Sequence, residues 1–294
     1  MDASTKQILV PVDFTDQSLI ALSQSYKLAK MLDAEITLLK VIEQHGFLSG
    51  LFQKHEDEVT AEIQSKLDAL VKQTEEKAGV RVNSLIAKGK PYEKILEVAG
   101  MINTVLIMMG TSGGAPGLKG MLIGSNALHI VRQTSCPVIT IRGKHHRDGC
   151  DLIVLPLDLT KETKQKVDKA VMFAKMFDAK IAIVSAMFTK DEFIVNKLNR
   201  QMQQVKAFIQ ERGISCNAEI VKGLKGQETE ADVIVDYAKR VEGDLIVIMT
   251  QQETEMTDLF LGSTAQRIIS ESDIPVLSLV PEKVLDGGNI VTPY

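Results

Sequence analysis

Cysteine is scarce in this chain: the 294 residues contain three, Cys136, Cys150 and Cys216. Three thiols cannot all pair with one another, and no Cys-x-x-Cys spacing marks a zinc or redox centre, so buried or idle thiols are expected. Long apolar runs are missing too. Stretches such as Val105 to Met109 and Leu245 to Met249 are five residues long, against roughly 18 to 20 needed to cross a bilayer, so no membrane span is expected. Met1-Asp2-Ala3-Ser4-Thr5-Lys6-Gln7 lacks the basic start and apolar stretch of a secretory signal, which points to a cytoplasmic protein. Neither sign of charge dominates. Lys plus Arg number 34 against 38 Asp plus Glu, and no basic block stands ready to neutralise a phosphate backbone, which argues against nucleic acid as a partner. What remains is 45% hydrophobic and 24% charged residues, the balance of a core-forming globular chain rather than a disordered, collagenous or coiled-coil one.

At roughly 100 to 200 residues per domain the length predicts two domains, and an internal repeat says how they arise. Ile8-Leu9-Val10-Pro11-Val12-Asp13-Phe14-Thr15 is answered by Ile153-Val154-Leu155-Pro156-Leu157-Asp158-Leu159-Thr160 at an offset of 145 residues. Ala29-Lys30-Met31-Leu32-Asp33-Ala34-Glu35-Ile36 is echoed at the same offset by Ala174-Lys175-Met176-Phe177-Asp178-Ala179-Lys180-Ile181. The offset then shortens to 140 for Val105 to Met109 against Leu245 to Met249, and to 138 for Gly124-Ser125 against Gly262-Ser263 and Pro137-Val138 against Pro275-Val276. The second copy is therefore expected to have lost residues from its connections. The reading is one domain over residues 1–143, a second over 150–281, and a tail over 282–294. Gly143-Lys144-His145-His146-Arg147-Asp148-Gly149, polar and bounded by glycine, suits the linker between them.

Within each copy, short β-branched runs alternate with longer stretches of helical period, the pattern of a parallel sheet with crossover helices. In copy one the strands are expected at about Gln7 to Val12, Glu35 to Val41, Val80 to Ala87, Val105 to Met109 and Val138 to Ile141. Val59, Ile63, Leu67, Leu70 and Val71 share one face of the second helix; Phe193, Ile194, Leu198, Met202, Val205, Phe208 and Ile209 do so in its counterpart. Both stripes are expected to be core.

In an open parallel sheet, ligands bind beyond the carboxyl ends of the strands, where the strand order reverses. Asp13 follows the first strand, and Thr15 is placed to cap the next helix. Asp13 serves either turn chemistry or the hydroxyl and amine groups of a ligand, and Asp158 repeats it. After the fourth strand of copy one, six glycines fall within the fifteen positions from Gly110 to Gly124. Such backbone approaches a ligand closely, and its amides can form a nest for an anion such as phosphate. Gly124-Ser125-Asn126 then opens a helix whose free amides favour negative charge, while the Ser125 hydroxyl suits either a cap or a phosphate contact. The plain alternative is a flexible surface loop ahead of a capped helix.

Other chemistries find no footing. Gly89-Lys90 and Gly143-Lys144 lack the flanking residues of a P-loop, and no Gly-x-Gly-x-x-Gly follows the first strand. His45, His55, His129, His145 and His146 show no metal-binding spacing, and neither Gly-x-Ser-x-Gly nor a Cys/His constellation is present.

The assembled residues resemble the universal stress protein family in its tandem-domain form, over nearly the whole chain. In that family a strand ending in Val-Asp is followed, after the fourth strand, by Gly-x2-Gly-x9-Gly-Ser/Thr, a loop that implies ATP binding. Copy one has Gly110 and Gly113, and nine residues separate Gly114 from Gly124-Ser125, so one extra residue sits inside the pattern. The resemblance implies an α/β fold of two tandem doubly wound five-stranded parallel-sheet domains, adenine nucleotide alpha-hydrolase-like, with strand order 3-2-1-4-5. It implies ATP, alone or with Mg2+, as ligand. Asp13 would contact ribose or adenine, the backbone around Val41 would read the adenine edge, Gly110, Gly113, Gly114, Gly124 and Ser125 would hold the phosphates, and Asn126 would add a donor.

Copy two departs from the pattern: Thr250-Gln251-Gln252-Glu253-Thr254-Glu255-Met256-Thr257-Asp258 holds no glycine before Gly262. Glu253, Glu255 and Asp258 would set carboxylates against phosphates, a repulsion on the order of 1 kcal/mol or more per close pair. Copy two is therefore expected not to bind ATP, leaving Asp158 and Gly262-Ser263-Thr264 to cap a turn and a helix. The family pairs such domains through their final strands, which implies an intramolecular pseudo-dimer through Val138 to Ile141 and Val276 to Leu279. A further homodimer and an unidentified protein partner stay open. Three functions follow: a non-catalytic adenine-nucleotide sensor in stress response, a nucleotide-independent interaction scaffold, and a slow ATPase using loop hydroxyls such as Thr111 and Ser112. No positioned general base supports the last.

Overall fold

A computed structural model describes residues 5–43, 53–111, 125–143, 149–158, 163–250 and 261–281. The chain divides into two compact units, Met1–Lys144 and His145–Tyr294. Unit 1 runs β1 (Gln7–Pro11), α1 (Asp16–Leu32), β2 (Glu35–Ile42), α2 (Gln53–Ala78), β3 (Val82–Lys88), α3 (Pro91–Met101), β4 (Thr104–Gly110), α4 (Ser125–Gln133) and β5 (Val138–Ile141). Unit 2 repeats the order with β6 (Leu152–Pro156), α5 (Thr163–Phe177), β7 (Lys180–Met187), α6 (Glu192–Gln210), β8 (Cys216–Lys222), α7 (Glu230–Arg240), β9 (Leu245–Met249), α8 (Ser263–Glu271) and β10 (Val276–Leu279). Strand order is β3-β2-β1-β4-β5 in unit 1 and β8-β7-β6-β9-β10 in unit 2, with every pairing inside a unit parallel. The alternating pattern predicts the parallel sheet with crossover helices, and the doubly wound order is the one the family resemblance implies. The order reverses beside β1 and beside β6, which places a crevice at their carboxyl ends.

The central strands are apolar on both faces because helices cover both. Ile8, Leu9 and Val10 in β1 and Ile153, Val154 and Leu155 in β6 have no exposed surface. The repeated Asp-Ala that follows the first helix of each copy proves to be a helix stop. Asp33 and Asp178 adopt left-handed backbone at φ 51° and 58°, and Ala34 and Ala179 donate back to the carbonyls of Ala29 and Ala174 at 2.9 and 2.8 Å. Aspartate tolerates that conformation better than most residues.

Three sequence expectations need correction. The strands expected to include Val12 and Val80 are shorter, because β1 ends at Pro11 and β3 begins at Val82, after the turn made by Gly79 at φ 63°. The constant offset across the fourth strand also fails. Leu9 pairs with Ile107 and its counterpart Val154 pairs with Ile246, so Ile107 corresponds to Ile246 and Gly110 to Met249, one residue away from the apparent sequence match. A register shift between Gln7 and Ile8 in the β1–β4 pairing absorbs the extra residue. Finally, the second copy has not simply lost residues. Gly89 is separated from α3 by Lys90 alone, whereas residues 224–229 lie between Gly223 and α7.

The helical stripes are core only in part: Ile63, Leu70, Val71, Val205 and Phe208 are half-buried. Leu67, Leu198, Met202 and Ile209 are at most 5% exposed, whereas Val59, Phe193 and Ile194 are 45%, 73% and 38% exposed. The expected stripe therefore misassigned these three residues, Val59 in the second turn of α2 and Phe193 and Ile194 in the first turn of α6. Among the described residues no helix is long and apolar enough to cross a membrane.

Cys150 and Cys216 are buried and Cys136 is half-buried, and all three are thiols outside any disulfide. Burial pushes the Cys216 thiol up to about 11, with Lys206 opposing the shift, so the unreactive thiol predominates at neutral pH. At pH 8 Cys216 should react with a thiol reagent at least tenfold more slowly than an exposed cysteine in the same chain unfolded. Equal rates, read by mass spectrometry of labelled peptides, would show that the site opens readily.

Candidate functional site

Asp13 lies two residues beyond β1, in a turn that its own neighbours fix. Its Oδ1 accepts from the Thr15 hydroxyl at 2.6 Å and the Thr15 amide at 3.0 Å. Thr15 in turn caps α1, accepting from the Ser18 amide at 3.4 Å, as its position suggests. Surrounding protein atoms push the Asp13 carboxyl pKa up, but the Thr15 hydroxyl and amide, the Ser18 hydroxyl and the Lys40 ammonium outweigh them, leaving it below the ordinary aspartate value. Asp13 is thus an exposed, ionised acceptor held in one orientation. Between it and the helix, Phe14 takes a left-handed φ of 69°, and its ring lies 5.2 Å from Lys40 Nζ.

A carboxyl whose folded pKa is depressed contributes stability above its unfolded pKa, and that contribution is lost as pH falls through the folded value. Asp13→Asn should therefore flatten the acid limb of the unfolding profile while costing less than about 1 kcal/mol at neutral pH, the group being exposed. Denaturant melts at stepped pH read this directly. An unchanged acid limb would mean the Thr15 clamp has no net weight.

Val41 occupies the end of β2 beside this turn. Glu35 N donates to Lys6 O and Val12 N to Leu39 O, so alternate peptides of β2 face β1. The Val41 peptide is next in that series, past the last β1 rung at Pro11 and Leu39. Its polar edge is therefore directed at the crevice.

Gly110 closes β4. A Cβ there would overlap the Gln17 carbonyl and lie 2.7 Å from the Ser18 nitrogen. Its lack of a side chain thus lets the first turn of α1 press against the strand end, a packing role that the glycine count alone does not reveal. That approach brings the Asp13 turn beside the start of the glycine-rich segment. Gly113, Gly114 and Gly124 fall outside the described residues. Ser125 opens α4 and Asn126 follows it, half-buried, with the helix dipole favouring an anion at this end. Thr111 is 3% exposed; its amide donates to Ile141 O at 2.8 Å and its hydroxyl lies 3.4 Å from the same oxygen. That hydroxyl locks β4 to β5 instead of facing a nucleotide, which corrects its suggested part in hydrolysis. Thr250 repeats the lock with Leu279 O, at 2.9 Å from its amide and 3.1 Å from its hydroxyl.

Unit 2 furnishes its crevice differently. Asp158 is accompanied by the buried Lys166, whose Nζ is 3.9 Å from Asp158 Oδ1. Ser185 stands where Lys40 does in unit 1, and its hydroxyl donates to Leu157 O at 2.8 Å. Gly262 is the N-cap of α8 and makes no side-chain cap, while the Thr264 hydroxyl donates to Glu230 Oε2 at 3.2 Å. The capping role expected of Thr264 is thereby replaced by a link to α7. Lys40 and Lys166 were not singled out from sequence. Lys40 sits in an otherwise apolar strand run, and Lys166 falls on an α5 face where copy one has Ala21, so comparing the copies position by position would have exposed the second.

Comparisons with known proteins bear on the family and the fold. The Universal stress protein family model matches residues 4–142 and again 151–279. A universal stress protein of Methanocaldococcus jannaschii is 33% identical over 141 residues, covering 47% of this chain and 82% of that protein. One from Bacillus subtilis is 32% identical over 146 residues, covering 46% of this chain and 98% of its own length. The crystal structure of a universal stress protein from Archaeoglobus fulgidus shares the fold, with a TM-score of 0.75 at 20% identity over 94% of this chain and 97% of that one. With the family's domain matched twice along its length, this chain belongs to the universal stress protein family.

Proposed function

We propose that the protein is a non-catalytic, cytoplasmic regulator of the stress response that binds ATP in unit 1 and not in unit 2. Family membership supports the stress-response part. One observation carries the nucleotide part. At the switch point of unit 1, an oriented and ionised Asp13, the outward Val41 peptide and the close-packed Gly110 converge where the glycine-rich segment begins. In this reading Asp13 accepts from ribose or adenine, Val41 reads the adenine edge, and Gly113, Gly114, Gly124, Ser125 and Asn126 join Gly110 around the phosphates. ATP supplies the charge that the α4 N-terminus stabilises.

Mg2+ would accompany ATP through phosphate oxygens and water. The described residues contain no group of three or more His, Cys, Asp or Glu able to hold a metal ion, so the phosphates would have to supply the ligands. The two units are proposed to pair through β5 and β10, leaving nucleotide-bound unit 1 to present a surface to a protein partner.

The extra residue between Gly110 and Gly124 favours a second reading, an interaction scaffold that needs no nucleotide. Isothermal calorimetry on nucleotide-stripped protein separates the two. Saturable heat on adding ATP is expected; no binding at millimolar ATP makes the scaffold correct. A phosphate-release assay should show no turnover above the blank, and sustained turnover would restore the ATPase.

A further inference from the structure

Lys166 is 5% exposed, and a buried ammonium is tolerated when paired. It projects from α5 towards Asp158 at the end of β6, 3.9 Å away. Glu230 joins them from the first position of α7, where unit 1 has Pro91 opening α3. Burial pushes the Glu230 carboxyl above the ordinary glutamate range; the Thr264 hydroxyl opposes this, Asp158 adds to it, and Lys166 opposes it. Four elements, β6, α5, α7 and α8, therefore each bring one polar group to the strand-end crevice of unit 2. The matching positions in unit 1 are Asp13, Ala21, Pro91 and Asn126, and Ala21 is fully buried. Unit 1 has the strand-end aspartate but neither the internal cation nor the second carboxylate.

We infer that Lys166 is a built-in counter-ion: its ammonium completes the strand-end cluster of unit 2 from inside the fold, doing for Asp158 and Glu230 what a bound ligand would otherwise do. Unit 2 thereby needs no ligand to balance the carboxylates at its strand end. The two halves thus differ in where the cation lies: Lys40 on a strand acts on Asp13 in unit 1, whereas in unit 2 the buried Lys166 comes from a helix.

The cluster has a defined pH signature. The charged groups acting on Glu230 among the described residues are Asp158 and Lys166, with the Thr264 hydroxyl as its hydrogen-bond donor. Without the ammonium, the folded pKa of Glu230 rises further above its unfolded value. A carboxyl raised in the folded state costs stability as pH climbs through that pKa. Lys166→Met, which keeps length and apolar stem but removes the charge, should lower the melting temperature by roughly 5 °C at pH 8 and by less than half as much at pH 5. Adding Glu230→Gln should recover part of the loss at pH 8, the part that Asp158 does not account for. Equal losses at both pH values, with no recovery in the double variant, would make Lys166 a packing residue and overturn the inference.

Glu230→Gln alone gives a readout that does not depend on the lysine variant folding. It should reduce the fall in melting temperature between pH 5 and pH 8, and an unaltered pH dependence would remove Glu230 from the cluster and overturn the assignment. Both measurements are made without nucleotide, so their failure leaves the placement of ATP in unit 1 untouched.

Discussion

Gly124→Val is expected to abolish ATP binding, a loss of at least about a hundredfold or ~2.7 kcal/mol, while leaving the unfolding transition in place. The proposed site needs backbone amides to approach phosphate oxygens directly at the start of α4, and two methyl groups there would hold the anion away. The matched control is Gly262→Val in unit 2. Gly262 has an ordinary φ of −52° and no heavy atom within 4 Å of a Cβ placed on it, so the variant should fold normally. ATP affinity should then be unchanged. Calorimetry on both variants tests the pair. Full affinity in the first, or a loss in the second, would put the phosphates somewhere other than the α4 N-terminus.

Gly110→Val should act on stability before it acts on ligand. Its Cβ would meet the main chain of Gln17 and Ser18, which cannot swing aside as a flexible side chain does, so α1 must move away from β4. Overpacking of this kind costs about 3 kcal/mol, or a drop of roughly 6 to 10 °C in the melting temperature. The loss should be present in ligand-free protein, where a residue serving phosphate alone would show none. Thermal melts with and without ATP distinguish the two roles, and a normal melt with weakened binding would make Gly110 a pure ligand contact. The corresponding position in unit 2 is Met249. That pairing was hidden because the two strands, Val105 to Met109 and Leu245 to Met249, are interchangeable as apolar strings, and only the bulged register of β4 says which residue faces which.

The fold was legible for a physical reason. Parallel strands covered on both faces read as solid apolar runs, and the repeat wrote each of them twice; the sheet order came from the family resemblance alone. Element ends were less legible. A helix keeps its apolar period past the point where neighbours cover it, so Val59, Phe193 and Ile194 looked like core although they are exposed. In the site, Asp13 and Thr15 announced themselves through turn and cap chemistry, which is local. Gly110 was found, but with its packing role invisible, because the main chain it touches is remote in sequence until β1 and β4 pair. Lys166 was missed for the same reason: whether a lysine on a helix is solvated or buried depends on Asp158 and Glu230, brought to it by two other elements.

The central claim is one nucleotide per chain, held in unit 1. Native mass spectrometry of stripped protein titrated with ATP counts it most directly. The account predicts a single added nucleotide at saturation in the unaltered chain and in Gly262→Val, and none in Gly124→Val. Two nucleotides per chain, or none at any concentration, would contradict it.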